Sequence, residues 1–266
     1  MFDLESFHTV GYVKLPGIVP RDTLEGMLTQ VWMLMGEQGY ERHNPASWGD
    51  DSTAHHGVKY VQKLQKLKLT DTGATPEDFP EVREAMDLIL GDNRTRAKNW
   101  GQSLVTLPLT GATWQLPGTG WHFDHVYRYP RVIWGINVFL FMDDVEPGGG
   151  GTAVLRNSPL LIDKLLLEDA KFGVREQNQW IRSAAPWLRG LKAAEKHRTT
   201  ERTQAYLEGT EIEGIEVRVE ELTGKAGDVF VSHPGLLHVP AMNVSDRPRM
   251  MRTQRVHRIR PTEKAD

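Results

Sequence analysis

The 266-residue sequence contains no cysteine. This absence excludes disulfide bonds and thiolate metal sites, and it favours a cytoplasmic location. No apolar run reaches about 18 residues, so we expect no membrane-spanning helix and no membrane partner. The first five residues (MFDLE) lack the basic and then apolar pattern of a secretion signal.

Neither sign of charge dominates the composition. The chain has 32 basic and 35 acidic residues and a formal net charge of -3, so nothing in the charge points to a nucleic-acid partner. It also lacks a repeat of solenoid length and a linker rich in proline or serine. We therefore expect a single domain over residues 1–266. The composition does not indicate an oligomeric state.

Helical patterns come early in the sequence and strand patterns dominate later. A helix is predicted after Pro20 with Asp22 as its cap, and a second one opens with a capping-box pattern at Thr75. The charged stretch at about 159–212 predicts a mostly helical insertion. Strands are predicted at 11–15, 103–109, 132–142, 215–220, 227–232 and 250–259. Residues 132–142 are apolar at almost every position, which indicates a strand buried on both faces.

The segment 121–125 (WHFDH) carries the most informative residues. As a strand, it would place His122 and Asp124 on one face and supply two thirds of a 2-His-1-carboxylate metal site. Such a triplet alone is weak, because chance often supplies one. A candidate third ligand is His238, which follows a Gly-Asp turn, an apolar strand and a Pro-Gly turn. Arg249 follows 11 positions later, and its planar fork suits the far carboxylate of a bidentate metal ligand.

Together, these spaced elements resemble the phytanoyl-CoA dioxygenase family of Fe(II)- and 2-oxoglutarate-dependent oxygenases. The matching residues are His122, Asp124, Gly227-Asp228, His238, Asn243 and Arg249. The opening segment 11–17 and Gly150-Gly151-Thr152 are also similar to the family, so the resemblance runs from about residue 8 to residue 258. It implies a mainly β fold with flanking helices and a double-stranded β-helix core, of the jelly-roll or cupin-like type.

The resemblance also implies a site and a reaction. His122, Asp124 and His238 would bind Fe(II), and Arg249 would bind the C5 carboxylate of 2-oxoglutarate. Three further residues, Thr119, Phe139 and Lys63, are candidates for contacts with 2-oxoglutarate. Oxidative decarboxylation of this co-substrate by O2 would be coupled to hydroxylation, or a related C–H oxidation, of a small organic substrate. The aspartate at position 124 favours oxygenation over halogenation.

The substrate is less well specified than the metal site. Arg128, flanked by Tyr127, is the favoured substrate contact, and Trp134 is a candidate for the pocket wall. These residues suggest an apolar or aromatic substrate with an anionic group. Neither His125 nor His233 is expected to bind the metal. Two alternative functions stay open from the sequence: a cupin-like metal enzyme that does not use 2-oxoglutarate, and a catalytically silent jelly-roll binding protein.

Overall fold

The structure is a computed structural model. It describes residues 2–49, 54, 58–61, 74–124, 127–128, 132–165, 171–172, 179, 183, 185–192 and 199–259. Two antiparallel β-sheets pack against each other, and helices cover their outer faces. This arrangement confirms the mainly β, double-stranded β-helix fold that the family resemblance implies.

The larger sheet has six strands in the order β1-β10-β5-β12-β3-β2, and the smaller sheet has four in the order β11-β6-β9-β8. A separate pair is formed by β4 and β7. The strands are β1 (Tyr12–Leu15), β2 (Lys59–Tyr60), β3 (Gln102–Leu107), β4 (Tyr127–Arg128), β5 (Gly135–Phe141), β6 (Thr152–Arg156), β7 (Lys171–Phe172), β8 (Thr210–Ile212), β9 (Ile215–Glu221), β10 (Val229–Ser232), β11 (His238–Pro240) and β12 (Arg249–His257).

Six α-helices lie in the described part of the chain. They are α1 (Leu4–Thr9), α2 (Arg21–Gly36), α3 (Pro80–Leu90), α4 (Ser158–Leu165), α5 (Pro186–Gly190) and α6 (Thr200–Glu208). Two short 3₁₀ helices, Pro45–Trp48 and Pro76–Asp78, accompany them. Among the described helices, none has the length and apolar character that crossing a membrane requires.

Strand β5 shows how the sequence builds the layers. Every one of its seven positions is buried, which confirms the predicted two-sided burial for residues 135–141 of the predicted strand 132–142. Side chains alternate along a strand, so Val138 and Leu140 join the core beneath α2 and α3. Phe139 and Phe141 point the other way, into the space between the two sheets.

Helices α4, α5 and α6 cover the outer face of the smaller sheet. Leu161, Leu188 and Tyr206, one from each helix, pack with Val217 and Val219 of β9. These three helices fall within the stretch predicted to be a mostly helical insertion. Part of that stretch lies outside the described residues, so the insertion as a whole stays a prediction.

Two local interpretations need correction. Asp22 does not cap α2, because Pro20 occupies the N-cap position and Asp22 lies in the first turn, where its charge favours the helix dipole. The segment 121–124 is not a regular strand either, since only His122 forms a β-bridge. The capping box at Thr75 is present, but it begins the 3₁₀ helix and not α3.

Candidate metal centre and co-substrate pocket

A β-bridge brings the two predicted histidine ligands together. The backbone N–H of each residue donates to the carbonyl of the other, at 3.0 Å in both directions, between His122 and His238. Their ring centroids are 4.4 Å apart. Through this bridge the segment before Asp124 attaches to β11 at the edge of the smaller sheet.

The backbone orients both imidazole rings. Nδ1 of His122 lies 2.6 Å from the carbonyl of Gly120, and Nδ1 of His238 lies 2.9 Å from the carbonyl of Leu236. Because a carbonyl only accepts, Nδ1 carries a proton in both rings, and Nε2 is the nitrogen that faces Asp124 and would bind a metal. This is the outer-shell hydrogen bonding that fixes metal-binding histidines.

Ser158 supports the turn that leads into His238. Its buried hydroxyl donates to the carbonyl of Gly235 at 3.0 Å and accepts from the backbone N–H of Leu237 at 2.9 Å. Ser158, the first residue of α4, therefore fixes the backbone directly before His238.

Asp124 completes the cluster from the opposite side. Its Oδ1 lies 3.6 Å from Nε2 of His122, and its Oδ2 lies 3.1 Å from Nε2 of His238. Asn137 donates its amide N–H to Oδ2, and Nη2 of Arg255 donates to Oδ1 at 2.8 Å. The carboxylate is therefore held by residues from β5 and β12 of the larger sheet.

Electrostatics keep the Asp124 carboxylate ionised. Burial raises its pKa, but the hydrogen bonds and positive charges of the two histidines outweigh burial and lower the pKa far below its usual range. For His238, burial lowers the pKa, whereas the bond to Asp124 raises it, and the net direction is upward. An ionised carboxylate at this position suits a metal cation.

The three side chains form a facial set of metal ligands. One ligand atom from each of His122, Asp124 and His238 lies within 4.8 Å of the others. Two imidazoles and one carboxylate on one face, with the other positions open, are the ligand set of non-haem Fe(II) oxygenases. The donor atoms present therefore fit iron.

The cluster opens into a cavity of about 1110 Å³ between the sheets. His122, Asp124 and His238 line it, and Arg249 lines it as well. Further lining residues include Tyr60, Leu104, Phe139, Thr152, Pro240 and Met251. The cavity is therefore shared between the metal ligands and the residue expected to bind the co-substrate.

Arg249 is a buried arginine that forms no salt bridge among the described residues. It is 2% exposed; its Nε donates to the carbonyl of Gly150 at 2.7 Å, and its Nη1 donates to that of Leu104 at 3.1 Å. Burial lowers its pKa to about 10, which still leaves it charged at neutral pH. The Glu221 carboxylate attracts this cation but forms no salt bridge with it. A buried cation that faces a cavity without a salt bridge is costly, so a carboxylate ligand is expected there.

Two neighbours shape the surroundings of Arg249. The Tyr60 hydroxyl lines the same cavity, and burial raises its pKa to about 12, so the hydroxyl is neutral. Both Tyr60 and Arg249 pair with Thr106 across β3. The Glu221 carboxylate accepts the backbone N–H groups of Gly148 and Gly151, each at 2.7 Å, and so fixes the turn whose Gly150 carbonyl holds Arg249.

The sequence profile of the phytanoyl-CoA dioxygenase family (PhyH) matches residues 7–251. The chain belongs to the phytanoyl-CoA dioxygenase family. Enzymes of this family use Fe(II), 2-oxoglutarate and O2, and the His-Asp-His cluster fits iron binding. A comparison with curated protein sequences gives no significant match.

Solved structures share the fold at low sequence identity. The epimerase SnoN in complex with Fe3+, alpha ketoglutarate and nogalamycin RO is 14% identical, with a TM-score of 0.54, over 98% of this chain and 86% of that one. AviO1 from Streptomyces viridochromogenes Tue57 is 14% identical, with a TM-score of 0.51, over 97% and 94%. EvdMO1 is 17% identical, with a TM-score of 0.51, over 96% of this chain, which spans about half (49%) of that protein.

Of the three further 2-oxoglutarate contacts predicted for this PhyH-family chain, one lines the cavity, one does not, and one lies outside the described residues. Phe139 lines the cavity, with its ring centroid 6.3 Å from that of His238. Thr119 does not line it, and its hydroxyl is buried without a described hydrogen-bond partner. Lys63 lies outside the described residues. The roles of all three toward 2-oxoglutarate stay predictions.

The predicted substrate contacts are not among the described residues that line the cavity. Tyr127 and Arg128 form β4, which pairs with β7, and their side chains are outside the described part. Trp134 is not among the lining residues, and its carbonyl accepts the N–H of Arg258 at 2.9 Å. Sequence reasoning missed Arg255 and Asn137, whose contacts with Asp124 depend on strand pairing that no local pattern encodes.

Proposed function

We propose that this protein is an Fe(II)- and 2-oxoglutarate-dependent hydroxylase of a small organic molecule. The observation that carries the proposal is Arg249, a buried cation that forms no salt bridge among the described residues, in the same cavity as the three candidate metal ligands. A cupin-like metal enzyme without 2-oxoglutarate has no need of such a residue.

Each residue has a specific role in this proposal. His122, Asp124 and His238 would hold the iron, and Arg249 would bind the far carboxylate of 2-oxoglutarate with the neutral Tyr60 hydroxyl beside it. The iron, once bound, supplies the oxidative chemistry: O2 and 2-oxoglutarate are converted to succinate and carbon dioxide while one oxygen atom enters a substrate C–H bond. The protein positions the substrate carbon and excludes water.

Hydroxylation is distinguishable from other outcomes of C–H oxidation. The structurally similar SnoN is named an epimerase, and epimerisation leaves the mass of a substrate unchanged. A hydroxylated product is heavier by one oxygen atom, so mass spectrometry of the product decides between the two. Chloride or bromide in the product would contradict the expectation from Asp124.

Anaerobic titration tests the metal and co-substrate assignments together. Adding Fe(II) and then 2-oxoglutarate should produce a metal-to-ligand charge-transfer absorption band in the wild-type protein. Arg249→Ala should raise the 2-oxoglutarate concentration needed for half of this band about 10- to 100-fold, because charge-assisted hydrogen bonds are lost. Arg249→Lys should recover part of the affinity, since the charge returns without the fork.

Arg218→Ala is the matched control. Arg218 is a half-exposed arginine on β9 that does not line the cavity, so its loss should leave the titration unchanged. A wild-type protein that forms no band would contradict the proposed function. An Arg249→Ala protein that titrates like the wild type would contradict the role of Arg249.

The proposed substrate is a small molecule, and nothing in the charge of the chain supports a nucleic-acid partner. The lack of cysteine supports a cytoplasmic location. The predicted anionic group of the substrate is supported by Arg255 and Lys98, two basic residues that line the cavity.

A further inference from the structure

Arg255 lies beside the candidate metal ligands and has no role in the proposed reaction beyond its contact with Asp124. Its Nη2 lies 2.8 Å from Oδ1 of Asp124, and its side chain is 59% exposed. Arg255 also lines the cavity. Its guanidinium therefore presents further N–H groups to the same space in which a substrate must lie.

The pleat of β12 explains why Arg249 and Arg255 both line the cavity. Arg249, Met251, Thr253 and Arg255 alternate along the strand and all line the cavity. Six residues of strand span about 20 Å, so the Cα atoms of the two arginines lie far apart. Arg249 turns to the Gly150 carbonyl, whereas Arg255 reaches Asp124. One end of the cavity thus suits the co-substrate, and the other end has its own cation.

The cavity wall near Arg255 is polar and basic. Lys98 lines the cavity, is exposed and makes no ion pair within the described ranges. Arg96 also lines it, but Glu77 and Asp87 lie 3.5 and 3.2 Å from its guanidinium and balance its charge. The remaining polar lining residues on these strands and loops are Asn99, Gln102 and Gln254.

In the loaded site, Arg255 shares its counter-ion Asp124 with the metal. This step rests on the proposed function. The two charges of Fe(II) and the charge of Arg249 are cancelled by the two carboxylates of 2-oxoglutarate and by Asp124. Asp124 is the only carboxylate among the described lining residues. Arg255 and Lys98 then add positive charge that no carboxylate among the described lining residues offsets, which favours a further anion.

We propose that the substrate carries an anionic oxygen group, a carboxylate or a phosphate, which Arg255 binds with the assistance of Lys98. Arginine suits this role because its planar fork matches both groups. Since Arg255 contacts a metal ligand directly, the bound anion lies next to the metal. The oxidised carbon is therefore only a few bonds away from the anionic group.

Matched pairs of small molecules test this proposal. The panel consists of small carboxylic acids, each with its primary amide, and phosphate monoesters, each with the parent alcohol. Binding is measured anaerobically by calorimetry and by the shift of the charge-transfer band, with Fe(II) and saturating 2-oxoglutarate. At least one charged member should bind more tightly than its neutral partner, and the two series separate a carboxylate from a phosphate.

Substitution of Arg255 should remove this preference. Arg255→Gln should weaken binding of the preferred anion about 10- to 100-fold and leave its neutral partner unchanged. Arg255→Lys should recover part of the preference. Lys98→Gln, which touches no metal ligand, should cost only about 2- to 5-fold because its charge is exposed. Arg218→Gln is the matched control and should change neither member of a pair.

Two results would overturn the inference. One is a wild-type protein that binds no charged member better than its neutral partner. The other is an Arg255→Gln protein that loses acid and amide equally, which would mean that Arg255 only positions Asp124. The proposed function fails separately: a missing charge-transfer band contradicts it, whether or not calorimetry shows a preference for anions that depends on Arg255.

Discussion

His233 is a buried histidine that serves the fold and not the metal centre. It is 4% exposed, and its Nδ1 accepts the backbone N–H of Gly235 at 2.9 Å. Its ring centroid lies 5.1 Å from that of Phe7 and 5.6 Å from that of His8, both on α1. Burial, with a smaller contribution from the charge of His8, lowers its pKa to about 3.

This lowered pKa predicts acid sensitivity of the fold. Between about pH 6.5 and pH 3 the unfolded chain binds a proton at His233 and the folded chain does not, so stability falls as the pH is lowered through this window. His233→Asn keeps an acceptor but cannot titrate. The slope of unfolding free energy against pH, measured by urea denaturation, should decrease by up to about 1.4 kcal/mol per pH unit.

The control is His43→Asn, an exposed histidine in the loop after α2, which should leave this slope unchanged. A His233→Asn protein with the wild-type slope would contradict a neutral buried imidazole at this position.

Among single residues, the sequence predicted the three candidate ligands but not the residues that hold them in place. The spacing of His122, Asp124 and His238 is a one-dimensional pattern, and the structure brings the three together. Asn137 of β5 and Arg255 of β12 lie directly opposite each other in the pairing of these strands, and both side chains contact Asp124. Such a cross-strand contact depends on register, which the sequence does not display.

The turn before β6 supports Arg249, the proposed 2-oxoglutarate contact. Gly150 adopts a φ of +79°, and a Cβ on it would lie 2.7 Å from Cβ of Asn243 and 2.8 Å from Oγ1 of Thr106. Its carbonyl accepts the Nε–H of Arg249. Any side chain at this position must displace the turn, and with it the arginine.

Gly150→Ala should therefore weaken 2-oxoglutarate binding about 10-fold or more and lower the melting temperature. Gly26→Ala is the matched control, because Gly26 lies in the exposed interior of α2, where an added Cβ would have no other atom within 4 Å. That change should stabilise the protein by about 0.5–1 kcal/mol. Equal effects of the two substitutions, measured by thermal unfolding and by the anaerobic titration, would contradict the role of the Gly150 turn.

Apolar patterning predicted the elements better than it predicted their ends. The strands at 132–142 and 250–259 follow from runs and alternation, and both are present as β5 and β12. The ligand segment 121–124 fails as a strand because a single bridge to His238, not a ladder, holds it. A period-two pattern places side chains on one face, but it cannot show whether a partner strand is available.

In the molecule as a whole, the candidate metal site joins parts of the chain that are distant in sequence. His122 and Asp124 lie between β3 and β4, His238 belongs to the smaller sheet, and the residues that hold Asp124 belong to the larger one. Folding alone brings these ligands together, so a metal would bind the folded state and not the unfolded chain. Such a ligand stabilises the fold by mass action, by about 2.7 kcal/mol at a hundredfold excess over Kd.

Anaerobic Fe(II) with 2-oxoglutarate should therefore raise the melting temperature of the wild-type protein by about 5 °C or more, since about 2–4 °C corresponds to each kcal/mol in a large domain. His238→Ala should abolish the shift, because a ligand and its hydrogen bond to Leu236 are lost together. His43→Ala, remote from the cavity, should keep it. A melting-temperature shift that survives in His238→Ala would place the metal elsewhere. A shift that is lost in His238→Ala but kept in His43→Ala would assign the stabilisation to the His-Asp-His cluster between the two sheets.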